Sequence, residues 1–239
     1  FRQMAFTSLQ GIWDELLFIF IVGIWICRVA IGHLRPQGTR MLFPILLYFV
    51  LMVFLLLINS PNNIVAIEGL RVMVQYIFWF FLAYNLLFTR VQAKSLIDIF
   101  LLVAALVALF GIYQYVVGIE IPAGWVDSTE TTIKTRVFSI IGSPNILGSL
   151  MIMSLPIAFV MFLSTKSYFK KTVYLGIGCA LALCLVFTFS RGAWLAFILE
   201  AVILGFWIDR RIIIAIIIAA VITPAVAPTV YDRIVYMAS

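Results

Sequence analysis

Between two long apolar runs lies the stretch Phe189-Ser190-Arg191-Gly192-Ala193-Trp194. Hydrocarbon offers a guanidinium no water, so an arginine in that position either sits at an interface or serves a polar pathway. A second stretch, Gly142-Ser143-Pro144-Asn145-Ile146-Leu147-Gly148, reads as the start of a helix. Ser143 suits an N-cap and Pro144 suits the first helical turn. Such an end presents free backbone N–H groups and the positive end of the helix dipole, which together favour phosphate-like anions. Gly192 and Ala193 open another helix beside Arg191 in the same way. The chemistry these residues suit is the binding and stabilisation of an anion. Capping of helix ends and contact with lipid headgroups account for the same residue types, and the two accounts stand side by side.

Other reactive residues are sparse. Glu200 falls near the middle of an apolar run, where an ionised carboxylate costs at least a few kcal/mol. It is expected to be protonated, paired or wet, with a structural hydrogen bond to a neighbouring helix as the favoured account and a proton relay as the other. Cys27, Cys179 and Cys184 lie inside apolar runs without metal-ligand spacing and read as small core residues. There is no Gly-rich nucleotide loop, no zinc spacing, no Ser-His-Asp set and no internal repeat.

The elements that must hold these residues are membrane helices. The chain is 65% apolar and only 11% charged, far from the roughly 25% charged of a soluble domain. Its formal charge of +6 is spread singly and in pairs between apolar runs, a pattern that argues against nucleic acid as a partner and for the lipid bilayer. About twenty helical residues cross a bilayer, and the uncharged runs give about eight spans, near 12–31, 41–58, 70–88, 96–117, 144–163, 172–189, 192–208 and 212–230. The fold class expected is an all-α polytopic transmembrane bundle, with 1–239 as part of one transmembrane domain. The chain begins at Phe1 with no basic n-region or cleavage site, so it reads as an excerpt without a signal peptide.

Of the 16 Lys and Arg residues, ten fall on one side of these spans. The positive-inside rule assigns that side to the cytoplasm. The other side then carries both chain ends, the 118–143 loop and the Ser190-Arg191-Gly192 turn. Arg71, Arg136, Arg191 and Arg233 are therefore outward-facing and invite a functional account. The lone histidine, His33, falls on the cytoplasmic side. The 118–143 loop is long for a connection between spans and holds Glu120, Trp125, Asp127, Glu130, Lys134 and Arg136. It reads either as an amphipathic surface loop anchored by Trp125 or as a set of charges, Asp127 among them, that closes over a substrate.

Taken together, Thr135-Arg136-Val137-Phe138-Ser139, Ser143-Pro144-Asn145-Ile146-Leu147-Gly148 and Phe189-Ser190-Arg191-Gly192-Ala193-Trp194-Leu195 resemble the O-antigen ligase and polymerase family of bacterial membrane proteins. Motifs carry the resemblance over about 100–239, and upstream only the general pattern of spans agrees. The family's Asn-Pro-Asn stands here as Ser143-Pro144-Asn145, which keeps the helix start but replaces the first amide. The resemblance implies a protein of about a dozen spans in the bacterial cytoplasmic (inner) membrane. It further implies an inverting glycosyltransferase, without metal or other cofactor, that moves a glycan from an undecaprenyl-diphosphate donor to a glycolipid, glycan or protein acceptor.

On that basis Arg191 and Arg136 are the expected catalytic residues, stabilising the diphosphate leaving group. Arg71, Arg233, Ser190, Asn145 and Asp127 are the expected substrate-binding residues. The family's large outer loop, where its base is suspected, would begin near 231–239, so the excerpt alone is expected to be inactive. Two other classes stand against this reading. One is a transporter or channel that uses Glu200 and Arg28 along a pathway, and the other is a non-enzymatic envelope protein.

Overall fold

A computed structural model describes residues 2–59, 63–86, 89–120 and 135–207, and in the first helix gives side chains only from Glu15. The expected span at 212–230, the loop beginning near 231–239, and the residues Asp127 and Arg233 lie outside the described residues. Among those described the protein is entirely helical, without a strand. The helices are α1 (Arg2–Ala30), α2 (Leu42–Asn59), α3 (Asn63–Leu86), α4 (Arg90–Val117), α5 (Pro144–Ser164), α6 (Tyr168–Phe187) and α7 (Arg191–Trp207), with a short 3₁₀ turn at Ser139–Ile141 before α5.

Among the described residues four helices, α3 to α6, are long and apolar enough to cross a bilayer, and the shorter, wholly uncharged α2 is equally apolar in character. This is a membrane protein. Its large apolar side chains point outward along these helices, with Phe43 and Leu57 each 76% exposed. Lipid makes that surface tolerable, since an apolar surface of this extent in water would drive aggregation. Each expected span up to residue 208 coincides with a helix, but α1, α3 and α4 begin about ten, seven and six residues earlier than hydropathy suggests. Glu68, Arg71, Arg90 and Lys94 end the apolar runs without ending the backbone hydrogen bonding, because a charged side chain at a helix end snorkels outward.

The chain divides into two compact units, the first up to Ala93 and the second from Lys94. In the first, α3 packs against α1 and α2. Phe18 of α1 meets the rings of Phe78 and Trp79 edge-on, at 6.2 and 5.5 Å between centroids. Edge-to-face contact of this kind adds to the burial of the rings themselves.

In the second unit α5 is the central helix, touching α6, α7 and the 3₁₀ turn. The core is formed by Leu101 and Ala108 of α4, Leu147 and Met151 of α5, and Leu181 and Cys184 of α6, all fully buried. Small residues let these helices approach. A Cβ added to Gly148 of α5 would lie 2.7 Å from the Cβ of Ala193 in α7, and one on Gly111 of α4 would lie 2.9 Å from the Cys184 Sγ. Without a hydrophobic driving force between helices in lipid, such close backbone approach is a main source of association. It also brings the first turns of α5 and α7 side by side.

Candidate anion site at two helix starts

The segment before α5 is fixed to α4 by the Gln114 amide and by the Ser139 hydroxyl. Gln114, buried on α4, accepts the backbone N–H of Phe138 at 3.2 Å and of Ser139 at 2.7 Å through Oε1, and its Nε2 donates to the Ser139 carbonyl at 3.5 Å. The Ser139 hydroxyl donates to the Val107 carbonyl at 2.7 Å. Ser139 itself lies in the left-handed region, with φ 51°. These bonds replace the sheet or helix partners that a buried irregular segment otherwise lacks. On its other side the segment is tied to the end of α6, where the Val137 N–H donates to the Phe187 carbonyl at 3.1 Å.

Arg136 is held in the middle of this arrangement and is buried, at 8% exposure. Its Nε donates to the Thr188 carbonyl at 3.1 Å, and its Nη2 donates to Asn145 Oδ1 at 3.4 Å. The same Asn145 oxygen accepts the Ser190 hydroxyl at 3.0 Å. With Oδ1 engaged twice, Asn145 still has two Nδ2 donors, and the residue as a whole is exposed. Arg136, Asn145 and Ser190 are thereby brought into one hydrogen-bonded cluster, although they come from three different elements.

The turn between α6 and α7 is equally constrained. Thr188, Phe189 and Ser190 are all buried. The Thr188 hydroxyl donates to the Leu185 carbonyl at 2.7 Å and accepts the Ser190 N–H at 3.3 Å. Trp194 adds its indole N–H to the same Leu185 carbonyl at 3.1 Å. Phe189 has φ 49°, a conformation that costs a bulky side chain roughly 1 to 2 kcal/mol. Its ring lies beside Tyr115 and Trp194, at 6.4 and 6.0 Å between centroids. Tyr115 in turn stacks on Phe187 at 3.8 Å with the planes 5° apart. The aromatic packing holds the left-handed turn, and the turn sets where Ser190 and Arg191 project.

Arg191 is the first residue of α7 and is exposed. Burial, and then the neighbouring Arg191 charge, hold the Arg136 guanidinium below its ordinary proton affinity. Two like charges and two helix starts thus converge on one end of the second unit. The macrodipoles add the equivalent of roughly half a positive charge each. A site of this composition attracts an anion with several oxygens, since guanidinium groups present planar, multiple donors.

Other expected residues stand elsewhere. Arg71 belongs to the first unit, where it pairs with Glu15 of α1. Ser143 occupies the N-cap position of α5 with Pro144 in the first turn, but its side chain makes no capping hydrogen bond. Glu200 does not make the expected interhelical hydrogen bond with its Oε2, which is buried and has no partner among the described residues. Sequence reading missed Gln114 and Glu15 and gave no role of their own to Thr188 or to Phe189, which stood in its motif. Gln114 was detectable in principle, as a lone amide in an otherwise apolar run, because such a residue must find a hydrogen-bond partner. Against known proteins, no family model, no curated protein and no solved structure matches this chain.

Proposed function

We propose that the protein is an extracytoplasmic glycosyltransferase that moves a glycan from an undecaprenyl-diphosphate donor to an acceptor, as an O-antigen ligase or polysaccharide polymerase does. One observation carries the reading: the junction of Arg136, Asn145 and Ser190, with Arg191 beside it, at the paired starts of α5 and α7. These are the motif residues on which the sequence resemblance rests. In this reading the bundle crosses the bacterial inner membrane about eight times within a protein of about a dozen spans, and the junction faces outward.

Chemically, an acceptor hydroxyl attacks the anomeric carbon of the donor sugar. A new C–O bond forms, the bond from that carbon to the diphosphate oxygen breaks, and the electron pair leaves with the diphosphate. The hydroxyl proton passes to a base. Arg136 and Arg191 stabilise the charge that develops on the leaving oxygen, Arg136 as a buried donor held by its hydrogen bonds and Arg191 as an exposed charge beside it. Asn145 and Ser190 hold Arg136 in register, and the helix starts receive the remaining phosphate oxygens. The reading does not draw on Arg71, Asp127 or Arg233.

The test is reconstitution of the full-length protein in proteoliposomes with an undecaprenyl-diphosphate oligosaccharide and candidate glycolipid, glycan and protein acceptors, in the presence of a chelator. Transfer of the glycan with equimolar release of undecaprenyl diphosphate is expected. The competing transport reading rests on Glu200, which lines a cleft of about 160 Å³ between α5 and α7 and has one carboxylate oxygen buried. Solute flux that is lost in Glu200→Gln, without any donor consumption, would favour transport.

A further inference from the structure

The first unit holds a charged pair of its own, open to its surroundings. Glu15 of α1 and Arg71 of α3 form an ion pair across 56 residues of sequence, with their side chains 44% and 63% exposed. Glu15 meets Arg71, and three residues later Phe18 meets Phe78 and Trp79. Partners advance together along the two helices, so α1 and α3 run in the same direction. Both charges also fall within a few residues of the point where their helix turns apolar. The pair therefore lies at one level, near the depth at which hydrocarbon gives way to headgroups.

Directly beside the pair is a cleft of about 380 Å³, within the range of small-molecule sites. Its walls are mostly apolar, formed by Phe18, Ile19 and Val22 of α1 and Val74 and Phe78 of α3, with the Gln75 amide among them. The charged groups stand together at one end. A guanidinium carries five donors and a carboxylate about four acceptor positions, so one mutual hydrogen bond leaves both groups able to bind more. An anionic amphiphile would gain Arg71 but be repelled by Glu15, and a cationic one the reverse. A zwitterion satisfies both.

We propose that this cleft binds a zwitterionic phospholipid of the surrounding bilayer, such as phosphatidylethanolamine. The phosphate lies on Arg71, the ammonium lies on Glu15, and an acyl chain follows the Phe18, Ile19, Val74 and Phe78 wall. This site is independent of the glycosyl-transfer reading and survives its failure.

Native mass spectrometry of the full chain, released from vesicles holding equal phosphatidylethanolamine and phosphatidylglycerol, tests it. Wild type should retain phosphatidylethanolamine preferentially. Glu15→Gln should shift the preference toward phosphatidylglycerol by about fivefold, since one charge near the membrane surface is worth about that factor. Arg71→Gln should lose retention of both lipids. The exchanged pair, Glu15→Arg with Arg71→Glu, should recover the phosphatidylethanolamine preference, which a loss of folding in either single variant would not produce. Equal retention of the two lipids by wild type, or a folded exchanged pair without the preference, overturns the proposal.

Discussion

Arg136 is where burial, charge and hydrogen bonding meet. Removing its side chain deletes donors to both the Thr188 carbonyl and Asn145, leaving Ser190 as the remaining partner of the Asn145 oxygen. In the glycosyltransferase reading, Arg136→Ala and Arg191→Ala should each lower turnover of the donor by roughly 10²- to 10³-fold, the usual cost of losing one preorganised donor to a developing oxyanion. Steady-state release of undecaprenyl diphosphate measures this. Burial and the Arg191 charge lower the proton affinity of Arg136, so the unfolded chain binds that proton more tightly than the folded one. The resulting gain in stability with rising pH falls only in strongly alkaline solution, and from about pH 6 to pH 9 the guanidinium stays charged. A lysine feels the same two causes from a lower starting point, near 10.4. Binding of a diphosphate by Arg136→Lys should therefore weaken at a lower pH than that of wild type, as titration at fixed ionic strength would show.

At the scale of elements, the site depends on two contacts that hold loops and helix starts together. Gln114 satisfies the N–H groups of Phe138 and Ser139. Gln114→Leu leaves the buried Ser139 N–H and the part-buried Phe138 N–H without that partner, at a cost of roughly 1 to 3 kcal/mol, read as a fall in melting temperature in detergent. Gly148→Ala pushes a Cβ against Ala193 and splays α5 from α7, at about 1 to 3 kcal/mol, and should lose turnover as well as stability. Much of this architecture was legible in the sequence and some was not. Uncharged runs located α2, α5 and α7 closely, because a helix long enough to cross lipid leaves a continuous apolar signature. The starts of α3 and α4 were displaced, since Glu68, Arg71, Arg90 and Lys94 interrupt hydropathy but not helical bonding. Motif residues Arg136, Asn145 and Ser190 were named from sequence, and the structure joins them. What could not be read was their manner of joining. Gln114 to Ser139 spans 25 residues, Arg136 to Thr188 spans 52 and Glu15 to Arg71 spans 56, and neither periodicity nor spacing encodes pairs so far apart. The left-handed Phe189 was hidden for another reason: its conformation is imposed by Tyr115 and Trp194 packing rather than by its own preference.

For the molecule as a whole, the proposed function puts the starts of α5 and α7 on the outer side of the membrane, the side that the charge bias predicts from sequence. Cysteines introduced at Glu120, just after α4, and at Ser167, just before α6, are both at exposed positions. They should react with an impermeant thiol reagent from opposite faces, Glu120→Cys from outside. Labelling from the same face would reverse or break the assignment of the outer side. Arg136 and Arg191 then stand where a lipid diphosphate in the outer leaflet could reach them, and the α5 and α7 dipoles reinforce them there. The most direct measurement is the affinity of the purified full-length protein for undecaprenyl diphosphate, in wild type, Arg136→Ala and Arg191→Ala, with folding of each checked by melting temperature. Loss of a charge-assisted hydrogen bond of this kind weakens binding by about ten- to a hundredfold, and that loss is expected in both variants. Unchanged affinity in two folded variants would contradict the assignment of this junction as the diphosphate site.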